Sequence, residues 1–335
     1  MSQKPPSRVW LYAPISLFVV LIAAYTVYWF IARGEIEAGL DNWIETQRQL
    51  GVDISYAEKE VRGFPYRFAL DVDQPAYHDP NAGVMWRGER LELVMQPWNY
   101  RHAIAKAPGR NEIEVSGTSA TAVIDKKSAA SFRWDDAGLT DFGLTLNLAE
   151  IISQEADLSF SKFHANYRID AETVRLGVDW SGISLSPELL AGQDFAFLGP
   201  DLQDGRMRIQ LDGFGHERLD GKSTERGVEL AQVRLIWGPL KLGAKGRFDV
   251  TPNGLLDGPI QIRLDDAEGL SAAIEEAQLG QPQIGLIVAA IGSASQDGEF
   301  LSLPIKNGAL TMLGFPVASV PQIAPRLDTR RLPSQ

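Results

Sequence analysis

The sequence predicts a mainly β protein. A single N-terminal transmembrane helix and a short amphipathic helix precede a long curved antiparallel β-sheet domain, with a few helices near its C-terminal end. Three observations predict this. Residues 9–32 carry no charge. From about Ile54 onward, apolar residues alternate with polar ones at a period of two, run after run. Turn-forming pairs punctuate those runs, and no long helices alternate with the strands as a parallel α/β fold would need. With 335 residues, 44% apolar and 22% charged, the chain has the make-up of one or two folded domains.

The anchor comes first, after a short tail of residues 1–8. At 1.5 Å per residue a helix over 9–32 spans roughly 36 Å, against a hydrocarbon core of about 30 Å. Trp10 and Tyr12 mark one end, and Tyr25, Tyr28, Trp29 and Phe30 the other, as interfacial belts do. A cleaved signal peptide has an apolar core of about 7–15 residues closed by small side chains. Here the run is longer and bulky residues 28–30 fill the cleavage position, so the segment reads as a retained signal anchor. Lys4, Arg8 and the amino terminus precede it, whereas Arg33 and Arg48 follow among Glu35, Glu37, Asp41 and Glu45. That bias predicts a single-pass inner-membrane protein with a cytoplasmic N-terminus and a periplasmic body.

Residues 33–51 form the amphipathic helix: Ile36, Leu40, Trp43, Ile44 and Leu50 recur at helical spacing, and Gly51 stops it. Its polar face is acidic. A helix lying on lipid wants Lys and Arg there, so this stripe is expected to pack on the domain beyond.

Residues 52–320 make up the β-rich domain. Its runs include Phe68-Leu70-Val72, Leu144-Leu146-Leu148, Phe163-Ala165-Tyr167-Ile169, Val174-Leu176-Val178-Trp180, Met207-Ile209-Leu211 and Ile260-Ile262-Leu264. Strict alternation means one buried and one wet face, as in antiparallel sheet. Turns are expected at Pro80-Asn81, Pro108-Gly109, Asp204-Gly205, Asp220-Gly221, Asn253-Gly254 and Asn307-Gly308. Residues 266–279 are helical by the spacing of Leu270, Ala273, Ile274 and Ala277. Residues 284–291 are too closely bounded by Pro282 and Gly292 for a second span, and read as a buried helix or strand. Residues 321–335 are a Pro-rich tail. A Trp beside a Pro ends a strand-like run at both Pro97-Trp98 and Trp237-Gly238-Pro239, which leaves room for two halves with a boundary near residues 140–225.

Chemistry is sparse. The 32 Lys and Arg against 43 Asp and Glu give a net charge of −11, which argues against nucleic acid. Without cysteine there are no disulfides, thiolate metal sites or Cys nucleophiles. The histidines His78, His102, His164 and His216 are far apart in sequence, without the i, i+4 spacing of a helical zinc pair. Asp135-Asp136 and Asp265-Asp266 read as solvated turns, and Gly213-Phe214-Gly215 as a turn rather than a phosphate loop. Ser159 and Lys162 share a Ser-x-x-Lys spacing but lie in a strand-like run, away from a helix start and without companion motifs. No catalytic, cofactor-binding or metal-ligating residue is expected, so the chain reads as a non-enzyme without a cofactor.

One motif remains: Gly63-Phe64-Pro65-Tyr66-Arg67. Gly63 permits a positive φ, while Pro65 fixes its own φ and keeps Phe64 extended, which suits the start of a strand better than a binding role. Shortly after an anchor and a short helix, this motif resembles domain-of-unknown-function family 2125, an uncharacterised envelope family of Gram-negative bacteria. Residues 96–100, 237–240 and 303–308 resemble it too. More loosely, the anchor plus long β-rich domain is similar to AsmA-type envelope proteins, for which lipid handling is proposed. The resemblance implies no catalytic residues. The expected partners are the inner membrane and a lipid-like envelope component. The alternative is a non-catalytic periplasmic interaction module supporting an envelope complex.

Overall fold

The computed structural model describes residues 9–153, 157–215, 226–278, 282–295, 298–312, 315–320 and 322. Its first element is a single helix, α1 (Val9–Gln49), of 41 residues and thus about 60 Å. The anchor and the amphipathic helix are therefore two stretches of one rod. Pro14, near its start, is the helix's only proline, so no breaker separates the two stretches. The chain then divides into two compact units, residues 1–107 with 111–118, and residues 108–110 with 119–335. That division falls N-terminal to the 140–225 interval named above.

The first unit holds β1 (Asp53–Ser55), β2 (Glu58–Arg62), β3 (Phe68–Asp73), β4 (Ala76–Asp79), β5 (Val84–Gly88), β6 (Arg90–Gln96), β7 (Asn99–Lys106) and most of β8 (Gly109–Val115). The strands pair antiparallel in the orders β2–β3–β6–β7 and β1–β4–β5–β8. Trp29, Ala32, Ile36 and Leu40 of α1 pack on Val61, Phe68, Leu70 and Val72. Further along, Ile44 packs with Val52 and Ile54. The acidic helix thus docks on protein as its charge pattern predicted. Trp43 and Leu50, expected in the same stripe, are exposed instead, because the docked face drifts past them. The wet face expected of β3 is also buried: Ala69 and Asp71 are covered as well as Phe68, Leu70 and Val72.

The second unit is a meander. β9 (Thr118–Ile124) and β10 (Ala129–Asp135) pair along one edge of β11 (Gly138–Ser153). Then β12 (Asp157–Ile169), β13 (Thr173–Leu185), β14 (Asp201–Asp212), β15 (Gly227–Trp237), β16 (Leu240–Val250), β17 (Leu256–Leu264), β18 (Leu301–Lys306), β19 (Ala309–Met312) and β20 (Phe315–Ser319) follow, each antiparallel to the last. A short helix, α2 (Pro187–Leu190), links β13 to β14.

Four of the expected turns connect strands, with Asn307 and Gly308 both at positive φ as a tight hairpin requires. Asp220-Gly221 lies outside the described residues. Asp204-Gly205 is a correction, since it lies inside β14. Its glycine serves the neighbouring strand: a Cβ on Gly205 would stand 1.9 Å from Cζ2 of Trp180. Leu148 is a second correction. It has φ +46° and is exposed while the next residue, Ala149, is buried, although the register with β12 is the same on both sides, Asn147 opposite Lys162 and Ala149 opposite Phe160.

The two late helical segments are α3 (Ala267–Glu276) and α4 (Pro282–Ser295). Asp266 caps α3 by accepting a hydrogen bond from the Gly269 N–H at 3.1 Å. Gly292 does not end α4 but lies within it, where Ala267 of α3 approaches too closely for any side chain. These helices cover one end of the sheet, burying Leu264, Leu270, Ile274, Val288 and Ile291 together with Trp237 and Leu242. A second cluster joins Val228, Phe248, Leu256 and Ile305. Apart from Gln322, the Pro-rich tail lies outside the described residues.

Candidate functional site

The strand registers of the second unit separate two faces. On one, Leu144 of β11 stands beside Ala165, then Val178, Met207, Val233 and Ala244, in a row that Ile262 and Leu301 continue. A parallel row runs from Phe132 through Phe142, Tyr167, Leu176, Ile209 and Leu230. Alternation within each strand puts these rows on the same face, and it is apolar across nine strands.

The opposite face is charged. Asp141 stands beside Arg168, then Arg175, Gln210, Glu229 and Arg247. Arg168 pairs with Asp141 at 2.5 Å, Arg175 with Asp170 at 2.9 Å and Arg206 with Asp179 at 2.7 Å. Hydrogen bonds from the Thr173 backbone and hydroxyl hold the Asp170 carboxyl down to about 2. Burial opposes ionisation of Asp179, but the Arg208 and Arg206 guanidinium groups outweigh it and keep that carboxyl below its usual range. A cleft of about 490 Å³ opens on this face, lined by Arg133, Asp141, Asn166, Arg168, Arg175 and Arg208. Its cations are largely matched by neighbouring Asp, so the ladder defines the wet side of the sheet rather than a free anion site.

The two faces differ in how they are covered. Over β16–β18 the helices α3 and α4 and their clusters close the apolar side. Over β11–β13, Leu144, Phe163, Ala165, Leu176 and Val178 belong to none of the buried clusters among the described residues. They are half-buried among themselves. The ring of Trp180, on the same face, has an indole N–H buried without a hydrogen-bond partner.

The family-like motif lies in the first unit. Gly63 (φ +108°), Phe64, Pro65, Tyr66 and Arg67 form the turn between β2 and β3, closed by the Arg67 N–H donating to the Gly63 carbonyl at 3.1 Å. A Cβ on Gly63 would lie 2.7 Å from the Arg67 carbonyl oxygen, so the turn admits only glycine there. Phe64 stacks on Phe30 and meets Trp29 edge-on, while the Tyr25 hydroxyl donates to the Pro65 carbonyl. Sequence reasoning missed this docking. Trp29 reads as a membrane-belt residue, yet it is only 2% exposed and stacks on Phe68 with ring centres 5.3 Å apart. It also missed Asp71. Burial there opposes the charge, but hydrogen bonds from Arg90 and Arg62 prevail and hold the carboxyl below its ordinary value.

The other residues singled out in the sequence do not converge. His78 is exposed on β4, His102 lies on β7, and His164 stands on the charged face, 3.0 Å from the Thr145 hydroxyl. His216 lies outside the described residues. Ser159 and Lys162 are strand residues of β12. The Asp135 carboxylate accepts the Ala137 N–H within a hairpin turn. Among the described residues no group of three or more His, Asp or Glu side chains could hold a metal ion.

No curated protein and no solved structure matches the chain. A family match covers residues 29–321, beginning at the tryptophan where α1 first enters the protein interior. The chain thus belongs to the family described as an uncharacterized protein conserved in bacteria, DUF2125.

Proposed function

We propose that this chain is a single-pass inner-membrane protein with a cytoplasmic N-terminus and a periplasmic body. In this reading its second unit holds a lipid-like envelope component on the apolar face of the sheet, without catalysis. The apolar surface over β11–β13 carries the reading: Leu144, Phe163, Ala165, Leu176 and Val178 continue the rows that α3 and α4 cover elsewhere, yet they enter no buried cluster. The Lys and Arg before α1 support the orientation, and the looser resemblance to AsmA-type proteins points the same way. With a net charge of −11, affinity for an anionic lipid comes from acyl-chain burial, not from long-range attraction. At about 0.8 kcal/mol per methylene, eight buried methylenes supply roughly 6 kcal/mol before the costs of binding.

The test uses the full chain in native membranes with a diazirine-bearing phospholipid, photolysed and mapped by peptide mass spectrometry. Adducts are expected on α1, which serves as the internal control, and on β11–β13 of the second unit. Leu176→Lys should remove most of the second set and leave the first. Absence of adducts from the second unit in a folded protein, whatever the labelling of α1 and the first unit, would refute lipid binding there and leave the interaction-module reading.

A further inference from the structure

The first unit carries a surface that a protein in water does not need. Outside α1, five Phe, Tyr or Trp side chains are exposed among the described residues, and four of them stand on or directly beside two turns. Phe64 (47% exposed) and Tyr66 (75%) lie between β2 and β3, and Trp98 (64%) and Tyr100 (69%) lie at the turn from β6 to β7. Turns in water favour Gly, Pro, Asn, Asp and Ser. Clustered large aromatic side chains there mark a surface that meets something apolar.

What they meet follows from α1. Both turns are pinned to it one helical turn apart: the Tyr25 hydroxyl donates to the Pro65 carbonyl, and the Tyr28 hydroxyl to the Pro97 carbonyl at 3.0 Å. A hydrocarbon core of about 30 Å takes up roughly 20 helical residues, so a span starting at Val9 reaches its far boundary near Tyr28. The first charge beyond it is Arg33, ion-paired with Glu37 at 2.9 Å and about 7 Å further along the axis. Val27 and Ile31 remain exposed at this height, so the apolar surface of α1 runs on beside the turns.

We propose that residues 63–67 and 96–101 are seated in the interfacial layer of the bilayer that α1 spans, making the first unit a foot on the membrane. The residue types suit that layer. Tyr and Trp rings bury an apolar body and keep a polar tip at headgroup level. Arg67 is exposed, and the Arg101 guanidinium lies 5.9 Å from the centre of the Tyr100 ring, so both cations can reach past the rings to the headgroups. This inference rests on the first unit alone and stands whether or not the second unit holds lipid.

The chain has no cysteine, so a single introduced cysteine can be spin-labelled without background. Full-length Tyr66→Cys, Trp98→Cys and Leu50→Cys would be labelled, reconstituted in phosphatidylcholine nanodiscs and examined by power-saturation electron paramagnetic resonance. Leu50 is the exposed reference, just past the far end of α1. At positions 66 and 98, collisions with oxygen should exceed those with a water-soluble nickel chelate several-fold, and at position 50 the order should reverse. Nickel access at 66 and 98 equal to that at 50, with circular dichroism unchanged, would overturn the proposal. The two turns are tested separately, so loss of folding in one variant leaves the other to decide.

Discussion

Replacing Trp29 with alanine should undock α1 from the first unit's sheet while leaving the apolar N-terminal part of the helix intact. The magnitude follows from the contacts. The ring is almost fully buried, stacks on Phe68 at 5.3 Å, and meets Phe30 and Phe64 edge-on at 5.3 and 5.4 Å. Truncating a buried tryptophan costs about 3–5 kcal/mol, and the loss of three aromatic pairings favours the upper half of that range. About 4 kcal/mol corresponds to a thousandfold change in the opening equilibrium. The assay is hydrogen–deuterium exchange of the full chain in detergent micelles, read at the amides of β2 and β3. Their protection should fall by two to three orders of magnitude. Trp29→Phe should keep most of it: the ring contacts survive, and an indole N–H buried without a partner, itself a cost of about 1–3 kcal/mol, disappears. Val27→Ala, on the exposed side of the same turn, should change nothing. Unchanged protection in Trp29→Ala, or equal loss in Val27→Ala, would refute the docking argument.

Two further outcomes are expected. Gly205→Ala should destabilise the second unit by about 1–3 kcal/mol, because the new methyl collides with the Trp180 ring; near-ultraviolet circular dichroism melts would show it, and adding Trp180→Val should recover most of the loss. Asp71, Asp170 and Asp179 are all held below their ordinary values, so their ionised forms favour the fold. That stability is fully present above about pH 4 and drains away as pH falls toward 2. Denaturation midpoints against pH should follow this course, and Asp71→Asn, costing about 2 kcal/mol at neutral pH, should show a shallower acid slope.

The sheet was legible because period-two alternation directly reports a wet face, and the runs through Phe163, Val174, Met207 and Ile260 all became strands of the second unit. Where the signal failed, something local had replaced solvent. Asp71 reads as wet because charge normally means water, yet two arginines on adjacent strands stand in for it. Asp204-Gly205 reads as a turn because composition cannot show that a glycine makes room for a ring one strand away. Leu148 broke its run through one residue at positive φ, which turns its side chain out of the buried row without changing the register and leaves no compositional mark.

The anchor shows the deepest of these limits. Hydropathy does not distinguish burial in lipid from burial in protein, so Trp29 and the aromatic residues before it look alike in sequence. The structure separates them within one helical turn: Tyr28 is exposed and Trp29 is buried against β3. A Gly/Ser linker at that point would let the β domain drift from the membrane on a flexible tether. Here α1 is unbroken from Val9 to Gln49, and its segment beyond Tyr28 is a structural layer of the first unit. The same helix thereby fixes the position of the two aromatic turns along its axis, since a tyrosine hydroxyl holds each of them. The glycine-aromatic-proline-aromatic-arginine motif is thus best understood as half of a joint. Its backbone turns the chain between β2 and β3, its Phe64 completes the packing around Trp29, and its Tyr66 is left exposed beside the apolar stretch of α1, as the proposed seating in the interfacial layer requires.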